Sequence, residues 1–535
     1  MTRRSLLLAG PAGLVLAGAG TPPGTLAATQ ARPIVRTRAG RVRGRTLDGV
    51  HVFKGIRYGA DTAPRRFMAP LPPVPWDGIA EAAAPGAASP QTGQEPGQSE
   101  DCLFLNVWTP GLGDGARRPV MVYIHGGAYA HGSGGNPLYD GTRLARRGDV
   151  VVITMNHRLN LFGYLYLARL AGMDDPAFAD SGNAGQLDLV LALEWVRDNI
   201  AAFGGDPGNV MLFGQSGGGA KIATLMAMPA ARGLFHKAAT MSGQQVTAGG
   251  PRNATARATA LLHRIGLTPD RAGAEAARRL PVADLLAGMK ATDPVAGTGG
   301  VYMGPVLDGR ALPRHPFFPD APALSADIPM IIGNTRDETR NLIGRGDPAT
   351  FTLDWQSLPA KLFPALRVDI PPEMVIAEYR RLYPHYSASD LFFAATTAGR
   401  SWRGAVEELE ARARQPAGAA PTWAYQLDWA SPLDGGKWGA PHMLDIPLAF
   451  DNIAQPESLT GVSARAQALA DRLADAFIAL ARHGDPNHPG LPRWEPYGLD
   501  RRQTLLLDDE CRLTDDPRGA ERRLFAQVPF IQFGT

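Results

Sequence analysis

Short apolar runs recur along this chain, each bounded by glycine, proline or polar residues and each followed by a stretch of different periodicity. Val120–Ile124, Val150–Met155, Val210–Phe213 and Pro329–Ile332 are almost wholly apolar over strand length. That is the pattern of strands covered on both faces. Between them the period lengthens. Leu187, Val190, Leu191 and Trp195 share one helical face ahead of Asn199-Ile200. Leu469, Leu473, Phe477 and Leu480 mark a second amphipathic helix, which the turn His483-Gly484-Asp485-Pro486 ends. Strands alternating with helices predict an α/β fold with a large, mainly parallel sheet flanked by helices. Two helix-rich insertions, about 251–300 and 355–415, interrupt the alternation and are expected to cap a site on the sheet. Ala80–Ser99, rich in Ala, Gly, Pro and Gln, reads as a surface loop. No internal repeat or linker divides the chain.

Composition narrows the picture a little. The 535 residues are 44% hydrophobic and 20% charged, enough for a large core. A net charge of +3 gives no argument for nucleic acid as a partner. Thr2-Arg3-Arg4-Ser5 precedes an apolar stretch to Ala19, with small residues at Thr25 and Ala27. Residues 1–27 therefore read as an export signal, and the paired arginines favour the twin-arginine over the general secretory route. The segment is too short and broken for a stable membrane span, and no later run reaches that length. The expectation is an exported bacterial protein without integral membrane association. Its two cysteines leave a Cys102–Cys511 bridge open, but a core of this size needs no disulfide, and two buried free thiols are the expectation.

The chemistry centres on Gly214-Gln215-Ser216-Gly217-Gly218, a G-x-S-x-G run. Apolar Asn209–Phe213 before it suits a buried strand, and Gly219–Met226 after it suits a helix. A serine on so sharp a turn projects its hydroxyl above the sheet, with glycines leaving room for a substrate. With 62 Gly in the chain the pattern alone is weak, so the flanks carry the argument. His125-Gly126-Gly127-Ala128-Tyr129 follows the Val120–Ile124 run, and its flexible backbone can aim two N–H groups at one point. A phosphate-binding loop is excluded there: no Gly-Lys-Ser/Thr follows, and no G-x-G-x-x-G opens a helix. Of eleven histidines, His125 is expected to orient this loop and His131 to be peripheral. Neither shows metal-ligand spacing, so no metal is expected.

Ser99–Val107 resembles one signature of the type-B carboxylesterase and cholinesterase family, and Phe203–Val210, running into the serine, resembles the other. The likeness begins at Gly55-Ile56-Arg57-Tyr58 and Arg66-Phe67, passes Asn156-His157-Arg158 and reaches Asp515-Asp516-Pro517-Arg518. It implies a bacterial, para-nitrobenzyl-esterase-like member: one α/β-hydrolase domain over 32–535, with helical insertions over the site. It further implies a cofactor-free serine hydrolase acting on small-molecule carboxylic esters through an acyl-enzyme. By the same resemblance Ser216 is the nucleophile, Glu338 in Gly333–Glu338 the triad acid and His442 in Gly439–Pro447 the base. Asp337 is the nearest rival to Glu338. Gly127, Ala128 and Gly217 match the oxyanion donors, and Ser242 matches a serine that hydrogen-bonds the acid. Arg66 with Glu100, and Arg158 with Asp188, match internal ion pairs that fix loops.

Alternatives remain within the same resemblance: a lipase, a hydrolase of carbamates or another specialised ester, or a silent adhesion protein. The last class loses the serine or its partners, all of which are present here. The oligomeric state stays open. Two departures from the family change the expectation. Gln215 stands where Glu is common, which argues against cationic choline esters and for neutral or moderately apolar ones. No cysteine lies between Gln30 and Cys102 to form the bridge of secreted relatives, which would leave Ala80–Ser99 unpinned.

Overall fold

The computed structural model describes residues 32–93, 95–173, 175–532 and 534–535. The expected export segment, 1–27, lies outside the described residues. Eleven strands form the main sheet. In chain order they are β1 (Arg45–Leu47), β2 (Val50–Arg57), β3 (Phe104–Thr109), β4 (Arg118–Ile124), β5 (Val151–Met155), β6 (Gly205–Gln215), β7 (Lys237–Met241), β8 (Met330–Thr335), β9 (Thr422–Leu427), β10 (Gln503–Leu507) and β11 (Arg512–Asp515). Their spatial order is β11-β10-β9-β8-β7-β6-β4-β5-β3-β2-β1. Every pair from β10 across to β5 is parallel, and antiparallel pairs occupy both ends. The central strands β4, β5, β8 and β9 are buried at every position, as their continuous apolar runs require. β6 lies between β4 and β7, where the strand order changes direction, and sites in such sheets form at the carboxyl ends of strands there.

Three helices tie the sequence to this frame: α1 (Ala184–Asn199), α2 (Gly217–Leu225) and α3 (Ala464–His483). α3 buries Leu469, Leu473, Phe477 and Leu480 on one face, as the periodicity predicts. Ser463 Oγ accepts from Ala466 N at 3.1 Å at its start, and Gly484 ends it in the left-handed region. α1 departs from the expected face. Leu187 is only partly buried, while Leu189, Ala192, Leu193 and Val196 are fully buried. The helix is covered around most of its circumference, so apolar spacing did not single out the contact face.

Ala80–Ser99 is not a free surface loop. Ile79–Glu81 pairs in parallel with Arg41–Arg43, and Ala88, Ser89 and Gln91 are buried. Gln91 exchanges both its amide groups with Gly132: Oε1 accepts from Gly132 N at 2.7 Å and Nε2 donates to Gly132 O at 3.1 Å. Ser89 Oγ accepts from Leu159 N at 3.2 Å. Hydrogen bonds pin the segment where a disulfide was expected to be missed. Cys102 is buried and free; Cys511 is also free but only half-buried, unlike the expectation.

Both insertions lie against the carboxyl edge of the sheet. Helices Pro251–Arg264, Arg271–Ala277 and Val282–Gly288 share an apolar cluster with Tyr129 and Phe162. Arg66, paired with Glu100 through Nε at 2.7 Å, also donates through Nη1 to the carbonyls of Ala277 and Leu280 at 3.1 and 2.7 Å. The helix Arg403–Ala413 packs Ala405 and Leu409 into the core of the main sheet, while the helices between Leu358 and Thr397 form a separate core with Leu524 and Phe525. There Thr397 Oγ1 accepts from Thr339 N at 3.2 Å, beside Glu338.

Among the described residues the Arg158–Asp188 pair is the driest ion pair, with side chains 2% and 0% exposed and bonds of 2.9 Å from Nε and 2.6 Å from Nη2. Asp188→Ala leaves a buried guanidinium without its carboxylate and is expected to cost about 3–5 kcal/mol. A clearly lowered urea midpoint is the expected readout; an unchanged midpoint would contradict a structural role for the pair.

Candidate active site

Parallel register brings the candidate residues to one level. Ile124 pairs with Gly214, Gln215 with Met241, and Met241 with Gly333. The next residues outward, Ser216, Ser242 and Asn334, emerge together at the carboxyl edge, with His125 one step below them, level with Gln215. Ser216 N–H donates to Met241 O and Ser242 N–H to Gly333 O, both at 2.8 Å, extending the ladder one step beyond the strands. Ser216 itself has φ 56° and ψ −125°, and α2 begins at the next residue. Such backbone is costly for a residue with a Cβ and persists only where its surroundings fix it. Here they do. A Cβ at Gly217 would overlap the Ala128 backbone, and one at Gly218 would overlap the Ile124 carbonyl oxygen. Ser216 remains half-buried between buried neighbours and stays open to a substrate.

Glu338 lies just beyond β8, at the start of the short helix Glu338–Leu342, and is fully buried. Its Oε1 accepts from Thr335 N at 3.0 Å and Asn334 Nδ2 at 3.4 Å. Its Oε2 meets His442 Nδ1 directly. His442 sits in the loop after β9, with its carbonyl held by Asn341 Nδ2 at 3.0 Å. Asp337, the rival acid, has another task. It accepts from Ala440 N at 3.0 Å through Oδ2 and donates its own N–H to Ala440 O at 2.9 Å, anchoring the histidine loop. With Nδ1–H given to a carboxylate, neutral His442 presents a lone pair on Nε2. Gln215 Nε2 stands 3.1 Å from that nitrogen and 3.3 Å from Nδ1, so the amide lies over the face of the ring and leaves the His442 Nε2 lone pair free. Ser216 Oγ makes no hydrogen bond to His442 in this resting arrangement, and catalytic hydrogen bonds often tighten only with substrate bound.

The loop after β4 leaves two donors unspent. Gly126 O accepts from His125 Nδ1 at 2.9 Å, and Gly127 O accepts from Ala130 N and His131 N at 3.1 Å each. A trans peptide points its N–H opposite to its C=O, so these bonds turn the N–H groups of Gly127 and Ala128 the other way. Among the described residues neither N–H has a protein acceptor. Gly217 opens α2, where the first N–H groups have no helical partner. A Cβ at Gly126 would lie 3.3 Å from Ser216 Cβ, so the loop runs beside the serine. His125 is buried, stacks on His157 with ring centroids 4.7 Å apart, and is kept neutral: burial, then the nearby Lys221 charge, lower it to about 3. His131 is exposed. Among the described residues no cluster of three or more His, Cys, Asp or Glu is arranged to hold a metal ion.

One expected contact is absent. Ser242 is buried with φ 52°, but among the described residues its Oγ has no hydrogen-bond partner. The Glu338 oxygens are already taken by Thr335, Asn334 and His442. Ser242 thus extends the β7–β8 ladder through its backbone and does not bond the acid. Gln215, expected beside the triad as a missing charge, lies against the imidazole. Another neighbour escaped the sequence reading. Asp445, three residues after His442, is fully buried; its Oδ2 accepts from Tyr425 OH at 2.7 Å and its Oδ1 is unpartnered. Burial first, and the Glu338 charge after it, push the Asp445 carboxyl up to about 6. An aspartate in a loop gives no local sign of such burial; only the fold brings β9 behind it.

The model of the carboxylesterase family matches residues 31–525. The chain is 35% identical to the para-nitrobenzyl esterase of Bacillus subtilis, covering 92% of this chain and 98% of that protein. It is also 35% identical to the phenmedipham hydrolase of Pseudarthrobacter oxydans, over 90% of this chain and 96% of the relative. A solved carboxylesterase of Geobacillus stearothermophilus superposes with a TM-score of 0.80 at 36% identity, over 92% of this chain and 100% of that one.

Asp445 generates a pH-dependent stability. Its carboxyl is raised in the folded state, so the folded protein holds a proton that the unfolded chain has released. The Asp445 contribution to stability therefore falls as pH rises from about 4 to about 6 and is flat above. Asp445→Asn should raise the melting temperature at pH 7.5, by up to about 3 kcal/mol of stability, with the gain fading as pH drops through 6. A gain equal at pH 4.5 and 7.5 would contradict the assignment.

Proposed function

We propose that this chain, which belongs to the carboxylesterase family, has the α/β-hydrolase fold and is an ester hydrolase, works through an acyl-enzyme on Ser216. One observation carries the reading: Glu338 and His442, 104 residues apart, meet beside a serine in strained backbone at the end of the central strand. In the reading, His442 Nε2 takes the Ser216 Oγ proton as Oγ attacks the ester carbonyl. Glu338 orients the imidazole and stabilises the imidazolium. The developing oxyanion meets the Gly127, Ala128 and Gly217 N–H groups, and each such donor is typically worth about 10²–10³ in rate. His442 then protonates the leaving alcohol, and a water activated by the same nitrogen releases the acid.

The substrate class we propose is neutral or moderately apolar esters. Its support is Gln215, an uncharged amide 1% exposed, at the point where a carboxylate would attract a cationic alcohol. The two relatives above are named for different substrates, so neither name fixes the substrate of this chain. We also propose that residues 1–27 export the enzyme; the paired arginines and the apolar stretch after them support this.

Ser216→Ala tests the nucleophile. It should lower kcat by about 10⁴ or more with an unchanged melting temperature; substantial turnover by the folded variant would overturn the reading. Gln215→Glu tests the neighbour. A carboxylate beside the imidazole favours the imidazolium, so the acid limb of kcat/KM should move to higher pH. Cationic esters should also gain on neutral ones of equal size, and no relative change would remove the charge argument.

A further inference from the structure

Lys221 lies one turn into α2, five residues after Ser216, and is fully buried. Its Nζ donates to Ala128 O at 2.6 Å and to His125 O at 3.3 Å, and stands 5.2 Å from the centre of the Tyr129 ring. No acid among the described residues pairs with it. The titratable groups facing it are His125, His131 and Tyr129 from the loop after β4, and His157 from the end of β5. Glu408, on the helix Arg403–Ala413, connects only indirectly: Tyr129 OH donates to Gln245 Oε1 at 2.8 Å, and Gln245 N donates to Glu408 Oε1 at 2.7 Å. A buried amine without a counter-ion is expensive, and burial alone lowers this one to about 7. Nothing in the ester chemistry above uses it.

Its two acceptors show what it does. They are the carbonyls at the two ends of the segment that carries the Gly127 and Ala128 donors. Ala128 has φ 51°, the left-handed region that a residue with a Cβ avoids. The Ala128 carbonyl that this conformation presents is the one Lys221 holds most closely, and it is also the one against which Gly217 packs. Without a donor there, Ala128 would be free to return to negative φ. That would change the angle between the two peptides flanking it and carry its N–H off the position shared with Gly217. We propose that Lys221 is a positioning residue: it locks Ala128 in the left-handed conformation and so keeps the oxyanion donors aimed at the acyl carbonyl. The proposal rests on Ser216 as the nucleophile.

The test compares Lys221→Met with wild type, each normalised by titration with a fluorophosphonate. Kcat per titrated site should fall about 10- to 100-fold, the scale of a small misplacement of catalytic groups. KM for the same ester should stay within about threefold, and inhibition by the matching trifluoromethyl ketone should weaken by the same factor as kcat. The decisive arm is Lys221→Met combined with Ala128→Gly. Glycine adopts positive φ without strain, so the double variant should recover at least about threefold of the lost kcat. A kcat within threefold of wild type in Lys221→Met, or a loss that glycine at 128 does not lessen, would overturn the proposal. If Lys221→Met does not fold, Lys221→Leu, which also lacks a donor, carries the same comparison. Failure of the Ser216 reading shows separately, as wild-type enzyme that does not titrate one-to-one with the fluorophosphonate.

Discussion

The backbone turn at Ser216 is the constraint on which the site depends. A central strand fully engaged on both sides by parallel neighbours must give way, within one residue, to a helix packed against the same sheet. Only a positive φ at the serine makes that turn, at a cost of roughly 1–3 kcal/mol. The surrounding packing leaves no alternative. Gly217 and Gly218 lie against the backbone of the neighbouring loop and strand so closely that no side chain fits. The ladder bonds from Ser216 to Met241 and from Ser242 to Gly333 fix the level of the turn. The strain therefore aims the hydroxyl outward and places the first N–H of α2 beside the Gly127–Ala128 loop.

Around that turn the chemistry is assembled from distant segments, each delivered by the end of a strand. β8 delivers Glu338, the loop after β9 delivers His442, and β4 delivers the donor loop. The insertions that interrupt the sheet hold these ends: Thr397 beside Glu338, and the cluster around Tyr129 beside the donor loop. The electrostatics are unusual in one respect. The residue on the imidazole is a neutral amide, while an aspartate with a raised pKa waits behind it, bonded to Tyr425. The balance of charge around His442 is thus set by buried groups and not by the residue next to the nucleophile.

What could be read from the sequence was what local pattern encodes. The strands, the helix α3 and the serine turn follow from apolar runs, periodicity and glycine placement, and they stand where the pattern puts them. Glu338 and His442 have no such signature; they were legible only through a resemblance spanning the chain. The misses share a physical cause. The Ala88–Gln91 anchoring, the Gln215–His442 contact, the burial of Asp445 and the bonds from Lys221 to two carbonyls are pairings between residues far apart in sequence, with no periodic trace. Ser242 fails for the opposite reason: its position matched, but the acid's acceptor sites were already filled by nearer donors. The face of α1 was misread because a helix buried on nearly all sides has no single apolar stripe to reveal.

The central claim is that an ester's acyl group passes through Ser216. The most direct measurement is mass spectrometry of protein quenched with acid during turnover of a slowly deacylating ester, followed by digestion. The account predicts a mass increase equal to the acyl group on the peptide containing Ser216, lost when the substrate is exhausted. Turnover with no adduct on that peptide, or with the acyl group on another residue, would contradict it.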